Sequence, residues 1–210
     1  MKLRPNPSIE RTPSSLLRKL PAAAHVKRWR RVARNTMLLH TELRGCGLRP
    51  WHLEDKPALI RHANNRKVWR NLTEMFPHPY TEADAEHWLS ISNHASPSIH
   101  FAIEAAGEAI GGIGVIAGEG IARLTGQFGY WLGEAHWGKG IATAAARAMV
   151  AHVFSVSHFA RLEAPVFEWN PASMRVLEKV GFVREGVLKR SVSKDGQLID
   201  SVMYAITRDA

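Results

Sequence analysis

Residues 133–142 read GEAHWGKGIA and connect a strand-like run to a helix-like run. QFGYWL, at 127–132, has the alternating apolar pattern of a strand, and ATAAARAMVAHVF, at 142–154, is rich in alanine, the best helix former. Gly138 and Gly140 allow positive φ and a close approach of the backbone to a ligand. The first amides of the helix have no partner within it and carry the positive end of its dipole. The stretch therefore predicts an anion site, most naturally for phosphate.

Two nucleotide-binding interpretations of this glycine loop fit less well. Its first seven letters match the G-x-x-x-x-G-K of nucleotide triphosphatases, but Gly140 stands where Ser or Thr would hold Mg²⁺. The G-x-G-x-x-G pattern of dinucleotide-binding folds is absent from the sequence. A glycine turn that serves only packing is a further alternative. Two glycines and a lysine opening an alanine-rich helix favour phosphate bound without a metal.

Composition places the chain among ordinary soluble globular proteins. It has 210 residues, 45% hydrophobic and 22% charged, which suits one domain with a full core. No apolar run approaches the length of a membrane span. The single cysteine, Cys46, excludes an internal disulfide and suggests a reducing compartment, so we expect a cytoplasmic protein. Cys46 itself fits a small buried apolar residue.

The formal net charge of +9 comes entirely from the first forty residues. They carry ten Lys or Arg and one acid, Glu10, so residues 41–210 are neutral. Because this proline-containing stretch has no periodic core pattern, we predict a disordered extension over 1–40 and one domain over 41–210. The extension resembles a translated bacterial repeat, which favours Met37 as the true start. A basic arm for RNA and an organellar transit peptide are alternatives, although the neutral domain makes nucleic acid an unfavoured partner.

The domain has the pattern of an α/β fold. TELRGCGLRPW, at 41–51, predicts a strand, followed by a helix that Asp55 can cap and a second helix behind a capping box of Thr81 and Asp84. A meander of three strands leads into the glycine loop and its helix. A strand, a short helix and a hairpin around Asp195 complete the chain. We predict a mixed central sheet of about seven strands with about four helices.

Two motifs in this order resemble a known enzyme family. WGKGIA, at the start of an alanine-rich helix, and NPASMRVLEKVGF, at 170–182, are similar to the two core motifs of the GNAT acyl-CoA N-acyltransferases. FPHPYTEADAEHW, at 76–88, narrows the resemblance to the RimJ/RimL-like branch, which includes acetyltransferases of ribosomal-protein N-termini. The resemblance covers about residues 41–207. It implies a GNAT fold with splayed central strands that bind acyl-CoA, acetyl-CoA as co-substrate, and no metal.

The resemblance assigns the coenzyme site to the glycine loop and the strand ends around it. Loop amides are expected to hold the pyrophosphate of the coenzyme. Backbone groups of the preceding strand are expected to bind its pantetheine arm. The implied coenzyme-binding residues are Tyr130, Trp131, Leu132, Trp137, Gly138, Lys139, Gly140, Ile141, Ala142, Thr143, Asn170 and Ser173. Trp137 stands where the superfamily has Arg or Gln, which suggests that packing replaces a side-chain hydrogen bond. Lys139 either contacts a phosphate or is solvated, and Asn170 bonds the pantetheine amides, caps the next helix, or does both.

The chemistry is expected at the second motif. Ser173 holds the position of a serine that lies close to the thioester sulfur in this branch, and its hydroxyl can donate to the departing thiolate. Many family members use a tyrosine four residues further on, but that position is Leu177 here. A helix N-terminal hydroxyl without a catalytic part is the alternative for Ser173. Glu168 is the first candidate for orienting a water toward the amine, and Glu134 and His136 are the next candidates. For each of them, a solvated surface group is the alternative.

The acceptor is expected to be a primary amine bound between the early helices and the closing strands. Trp69, Phe76 and Tyr80 are the candidate walls of this pocket, whereas Trp88 fits the core better. A protein N-terminal α-amine, with a pKa of about 7.7 to 8.0, needs little help from a base. A small amine such as a polyamine, an amino sugar or an antibiotic is the alternative, and a non-catalytic acyl-CoA-binding or RNA-binding protein is a third hypothesis. No H-x-x-x-H pair occurs and no metal is expected; the resemblance also implies a homodimer.

Overall fold

The computed structural model describes residues 38–94 and 97–208. In this part of the chain the strands, numbered β1 to β8, are Leu39–His40, Cys46–Arg49, Ile99–Ala105, Glu108–Ala117, Thr125–Leu132, Arg161–Phe167, Val183–Lys194 and Gln197–Thr207. The α-helices of the same ranges, numbered α1 to α5, are Lys56–Ala63, Arg66–Trp69, Glu82–Ser92, Ile141–Val156 and Pro171–Val180.

The strands form one sheet in the order β1-β2-β3-β4-β5-β6-β8-β7. Each neighbouring pair is antiparallel except β5 and β6, which run parallel. A parallel pair needs a crossover connection, and α4 supplies it between β5 and β6. The glycine loop therefore lies at the C-terminal end of β5, where the order of the sheet changes from antiparallel to parallel.

Helices cover both faces of the sheet. On one face, α4 and α5 pack through Met149 and Leu177 onto the larger core cluster, which also contains the buried Cys46. On the other face, α1 and α3 pack onto a second cluster. Ala102 and Ile103 are neighbours on β3 but belong to different clusters, because successive side chains of a strand point to opposite faces.

The predicted fold class is confirmed, with two additional elements. The described residues form eight strands and five helices, against a prediction of about seven and about four. β1 and α2 are the missed elements, since two and four residues are too few to show a period of 2 or 3.6. The predicted capping box precedes α3: Thr81 Oγ1 accepts from the Asp84 N–H at 3.3 Å, and the Asp84 carboxylate accepts from the Thr81 N–H at 2.8 Å.

The predicted extension falls almost entirely outside the described residues. Residues 1–37 are not among them, so the disordered tail, the RNA-binding arm and the start at Met37 stay predictions. Leu39 and His40 fall within the predicted extension, yet they pair with Leu48 and Gly47 of β2. The sheet therefore begins two residues before the boundary set at residue 41.

Asp55 makes a different contact from the predicted cap of α1. Its side chain makes no capping hydrogen bond to that helix. Both carboxylate oxygens instead accept from the Arg49 guanidinium, at 2.7 and 2.8 Å, and one also accepts from the His52 N–H at 2.8 Å. Arg49 additionally pairs with Glu104 of β3. This network joins the start of α1 to β2 and β3.

We expect this network to make the folded state less stable in acid. Burial on its own raises the pKa of Asp55, but the Arg49 guanidinium and the His52 N–H more than offset it, so the folded-state pKa lies below its ordinary value. Such a carboxyl contributes stability above its unfolded pKa of about 3.9, and loses it as the pH falls through the folded value. The free energy of unfolding, measured in urea, should therefore fall less steeply with decreasing pH in the Asp55→Asn variant than in the wild type. Equal slopes in the two proteins would contradict this role.

Candidate active site

Strands β5 and β6 are paired for only three residues. The paired stretches are residues 125–127 of β5 and residues 161–163 of β6. Beyond them, β5 remains paired with β4, and β6 remains paired with β8. The two strands therefore diverge toward their C-terminal ends and leave an opening in the middle of the sheet, which confirms the predicted splay.

The edge of β5 that faces this opening presents backbone groups without a strand partner. Gly133 donates its N–H to the Ile110 carbonyl of β4 at 2.8 Å. The direction of backbone bonding alternates along an antiparallel strand, so Phe128, Tyr130 and Leu132 point their N–H and C=O groups away from β4. The Leu132 carbonyl accepts from the Trp137 side chain, and Tyr130 lies beyond the three residues that pair with β6. Backbone groups such as those of Tyr130, left without a strand partner in the middle of a sheet, suit a ligand that carries amides of its own.

The glycine loop leads from β5 into α4 through two left-handed residues. Gly138 has a φ of 74° and Gly140 a φ of 78°, a region that residues with side chains adopt rarely. Gly140 is the N-cap of α4, with no side-chain cap and no acid in the first turn. The Ala144 N–H donates to the Gly140 carbonyl at 3.1 Å, so the three preceding amides have no partner within the helix. This end of α4 suits an anion.

Trp137 fixes the glycine loop through a hydrogen bond. Its side chain is 42% exposed, and its Nε1 donates to the Leu132 carbonyl at 2.7 Å. The suggestion that packing at this position replaces the side-chain hydrogen bond of the superfamily's Arg or Gln stays a prediction. Lys139, two residues on, is exposed. Partial burial, then the charges of His62 and Lys139, lower the pKa of His136 on the same loop.

The second motif begins at the end of β6. Asn170 Oδ1 accepts from the Ser173 N–H at 3.1 Å, which confirms that Asn170 caps α5. Pro171 follows at the start of the helix, where its missing N–H costs no hydrogen bond. Ser173 Oγ lies 2.9 Å from the Tyr130 hydroxyl, so a hydrogen bond crosses from α5 to β5. Ser173 is thereby placed beside the opening between the strands.

Glu168, the candidate for orienting water, is bonded to the closing strand. One of its carboxylate oxygens accepts from the Asp200 N–H at 2.9 Å, and its own N–H donates to the Asp200 carbonyl at 3.1 Å. Its side chain is exposed and lies two positions before Asn170. The carboxylate thus stands near the second motif with one oxygen engaged, and its role as a base stays a prediction.

Glu134 and His136, the next candidates after Glu168 for orienting the water, lie next to the early helices. Glu134 accepts from Asn65 Nδ2 at 2.8 Å and pairs with Lys67 of α2. His136 packs edge-on against His62 of α1, with ring centroids 5.2 Å apart. These contacts attach the glycine loop to α1 and α2.

The candidate pocket walls belong to residues 66–80, which we name the bridging segment. This segment contacts both sides of the opening. Phe76 packs against Trp131 of β5, with ring centroids 5.5 Å apart, and the Arg70 guanidinium lies 4.3 Å from the ring centre of Trp169, just after β6. Tyr80 is only 5% exposed and belongs to the second core cluster, so it supports Phe76 from behind.

Trp69 joins the bridging segment to the β7–β8 hairpin. Lys194 Nζ lies 3.6 Å from the centre of the Trp69 ring and 3.0 Å from Glu74 Oε1. The lysine is 2% exposed, although the hairpin tip is otherwise at the surface. Arg66 and Asp195 form a second link, at 2.8 Å. The bridging segment is therefore held at both the opening and the hairpin.

Sequence reasoning missed three side chains at this site. Arg70, Trp169 and Lys194 carried no motif, although Trp169 precedes the quoted second motif by one residue and could have been noticed there. The Trp169 ring is also packed edge-on against Phe167, with centroids 6.2 Å apart. The contacts of Arg70 with Trp169 and of Lys194 with Trp69 each join residues far apart in sequence.

Metal ligands are not grouped in the described ranges. No three His, Cys, Asp or Glu side chains come together there in a way that could hold an ion. The expectation that the reaction needs no metal stays a prediction.

A comparison with known protein families matches the part of the chain that contains the glycine loop. The family model described as an acetyltransferase (GNAT) domain matches residues 46–183, which include the opening, the glycine loop and the second motif. The chain belongs to this GNAT family. The resemblance expected from WGKGIA and from the Asn170 motif is thereby confirmed.

Several relatives are similar over part of the chain. The probable N-acetyltransferase YjcK of Bacillus subtilis (strain 168) is 44% identical over 40% of the chain, and the ribosomal-protein-serine acetyltransferase of Escherichia coli (strain K12) is 35% identical over 44%. The chain spans about half the length of these relatives, 47% and 53%. The spermidine N(1)-acetyltransferase of Escherichia coli (strain K12) is 27% identical over 76% of the chain and 84% of its own length.

Solved structures show the same architecture. Mycobacterium smegmatis RimJ, solved in complex with a coenzyme A disulfide, is 29% identical with a TM-score of 0.69, and the match covers 77% of this chain and 81% of RimJ. Within the residues that the structure describes, no helix of this GNAT protein is long and apolar enough to cross a membrane.

Proposed function

We propose that this GNAT protein transfers an acetyl group from acetyl-CoA to a primary amine, and that the amine is the N-terminal α-amine of a protein. The observation that carries this proposal is the opening between β5 and β6, with unpaired backbone groups of β5 on its edge. The amide-rich pantetheine arm of a coenzyme has the donors and acceptors that such an edge needs.

The pyrophosphate, the pantetheine arm and the thioester of the coenzyme each have a matching group in this chain. The amides of Ile141, Ala142 and Thr143 hold the pyrophosphate, and their N-terminal position on α4 favours its negative charge. The backbone of Tyr130 binds the pantetheine arm and polarises the acetyl carbonyl. Ser173 Oγ donates to the thiolate that departs.

The reaction in this proposal is a direct attack within a ternary complex. The neutral amine attacks the thioester carbonyl, a water carries away its proton, and collapse of the intermediate breaks the C–S bond. An α-amine is partly neutral near pH 7.5, so the partly engaged Glu168 need only orient that water.

Charge pairing near the bridging segment supports a peptide acceptor over a polyamine. The carboxylates of Glu74, Asp195 and Asp200 are already paired with Lys194, Arg66 and Lys189, at 3.0, 2.8 and 2.7 Å. Within the described residues, Glu168 keeps one carboxylate oxygen free. A polyamine needs several free carboxylates, whereas a peptide N-terminus brings carbonyls that accept from donors. The similarity to the spermidine enzyme is the observation that favours the small-amine alternative.

The proposal places the reaction in the cytoplasm and keeps the homodimer as a prediction. A single cysteine suits a reducing compartment. Analytical ultracentrifugation of the full chain measures the oligomeric state directly.

The proposed acceptor predicts which amines support coenzyme A release. The full chain with acetyl-CoA should release thiol in the presence of peptides that begin with Ser or Ala, and mass spectrometry should find one acetyl group on the α-amine. Peptides with a blocked N-terminus and an internal lysine are the matched control and should be inactive. Release with spermidine or an aminoglycoside alone would replace the proposed acceptor by a small amine. If no amine supports thiol release, the proposed acetyltransferase activity is wrong.

A further inference from the structure

A pair of hydroxyl groups connects β5 to α5 at the candidate active site. Tyr130 Oη lies 2.9 Å from Ser173 Oγ, although the two residues are 43 positions apart. The Tyr130 ring packs against the larger core cluster, next to Phe128. The Asn170 side chain holds Ser173 separately, by accepting a hydrogen bond from the backbone N–H of Ser173. The two hydroxyls are therefore positioned by different elements and meet beside the opening.

The direction of this hydrogen bond follows from the acidity of the two groups. Burial raises the pKa of Tyr130 to about 12, and the bond to Ser173 offsets this only in part, so the phenol is neutral at physiological pH. A neutral phenol is a better donor than an aliphatic alcohol. With Tyr130 donating, Ser173 Oγ accepts and its own hydrogen is free for another acceptor.

We propose that Tyr130 is a positioning residue that directs the hydroxyl hydrogen of Ser173 toward the thioester sulfur. This inference rests on the proposed function, because it requires a thiolate that leaves beside Ser173. A hydrogen bond received by a hydroxyl also strengthens the bond that the same hydroxyl donates. Tyr130 therefore acts on the leaving group through Ser173.

The step needs no proton transfer from Tyr130. When the intermediate collapses, the carbon–sulfur bond breaks, the sulfur keeps the electron pair, and the carbonyl of the product amide re-forms. Ser173 donates a hydrogen bond to the thiolate and Tyr130 donates one to Ser173, while both protons stay on their oxygens. A thiol pKa of about 8.5 against about 12 for Tyr130 disfavours a phenolate by more than about a thousandfold. The thiolate takes its proton from solvent.

Tyr130→Phe is the first variant to test, since it removes the hydroxyl and keeps the ring in the core. We expect kcat to fall about tenfold, while the KM and Kd for acetyl-CoA and the melting temperature stay close to the wild-type values. Tyr204→Phe is the matched control, because Tyr204 is buried and its hydroxyl bonds to Glu178 at 2.8 Å, away from the opening. That variant should keep the wild-type kcat.

The double variant Tyr130→Phe/Ser173→Ala tests whether Tyr130 acts through Ser173. Its kcat should equal that of Ser173→Ala alone, because the hydroxyl that Tyr130 positions is gone. Losses that multiply in the double variant, a wild-type kcat in Tyr130→Phe, or a change confined to KM would each overturn the inference. If the wild type itself uses no amine, the proposed function fails and the inference fails with it; an active wild type with an equally active Tyr130→Phe rejects the inference alone.

Discussion

Replacing Ser173 by alanine is expected to lower kcat by about a hundredfold while the affinity for acetyl-CoA stays within about twofold of the wild type. In the proposed mechanism the Ser173 hydroxyl bonds to the coenzyme sulfur only as charge develops on it, so its loss affects the transition state more than the bound ground state. Donation to a leaving group raises the reaction rate by about 10²- to 10⁴-fold. The low pKa of a thiol places the expected effect at the lower end of this range. Steady-state kinetics and calorimetric titration of acetyl-CoA measure the two quantities.

A second serine provides the control for this substitution. Ser155 of α4 donates to the His152 carbonyl at 2.7 Å, so Ser155→Ala removes a hydroxyl that bonds within its own helix. It should leave kcat unchanged. A Ser173→Ala protein that turns over at the wild-type rate would leave Ser173 with a structural role only.

Replacing Ala142 by proline is expected to weaken coenzyme A binding by about thirtyfold. Proline removes the N–H of residue 142, which has no partner within α4 and which we assign to the pyrophosphate. A hydrogen bond to a charged group is worth about 1.5 to 3 kcal/mol, and about 2 kcal/mol corresponds to this factor. The fold should tolerate the change, because α1 of the same chain already carries Pro57 in its first turn. Calorimetric titration with coenzyme A measures the loss.

Helix α3 offers the matched control for the proline. Ala83 holds the same second position after the N-cap as Ala142 does, and it is exposed. Ala83→Pro should bind coenzyme A like the wild type and melt at a similar temperature. If Ala142→Pro and Ala83→Pro bind equally well, the pyrophosphate is not held by the amides of α4.

Much of the coenzyme side of the site could be predicted because it is local in sequence. The two left-handed glycines and the free amides of α4 lie within a few residues of one another, and Asn170 caps a helix that begins at the next residue. Hydrogen bonds of this range depend on backbone dihedrals, which residue type biases directly. Trp137 shows the limit of this reasoning, since whether it packs or donates depends on how the loop folds back to Leu132.

The acceptor side could be predicted only as a region. The aromatic residues of the bridging segment were visible, but their partners Trp131, Trp169 and Lys194 come from three different parts of the chain. The same holds for Asp55, whose type and position suited a helix cap. A charged neighbour, Arg49, on an adjacent strand binds its carboxylate instead.

The sequence alone determined the α/β class, the family, and the segments that we assign to the coenzyme, because periodicity, caps and glycine turns are properties of neighbouring residues. The tertiary structure decided where β5 and β6 part, that Tyr130 meets Ser173, and that the bridging segment contacts both sides of the opening. These contacts join residues far apart in the chain. Strand order and register set the distances between them, and neither is encoded in any single stretch of residues.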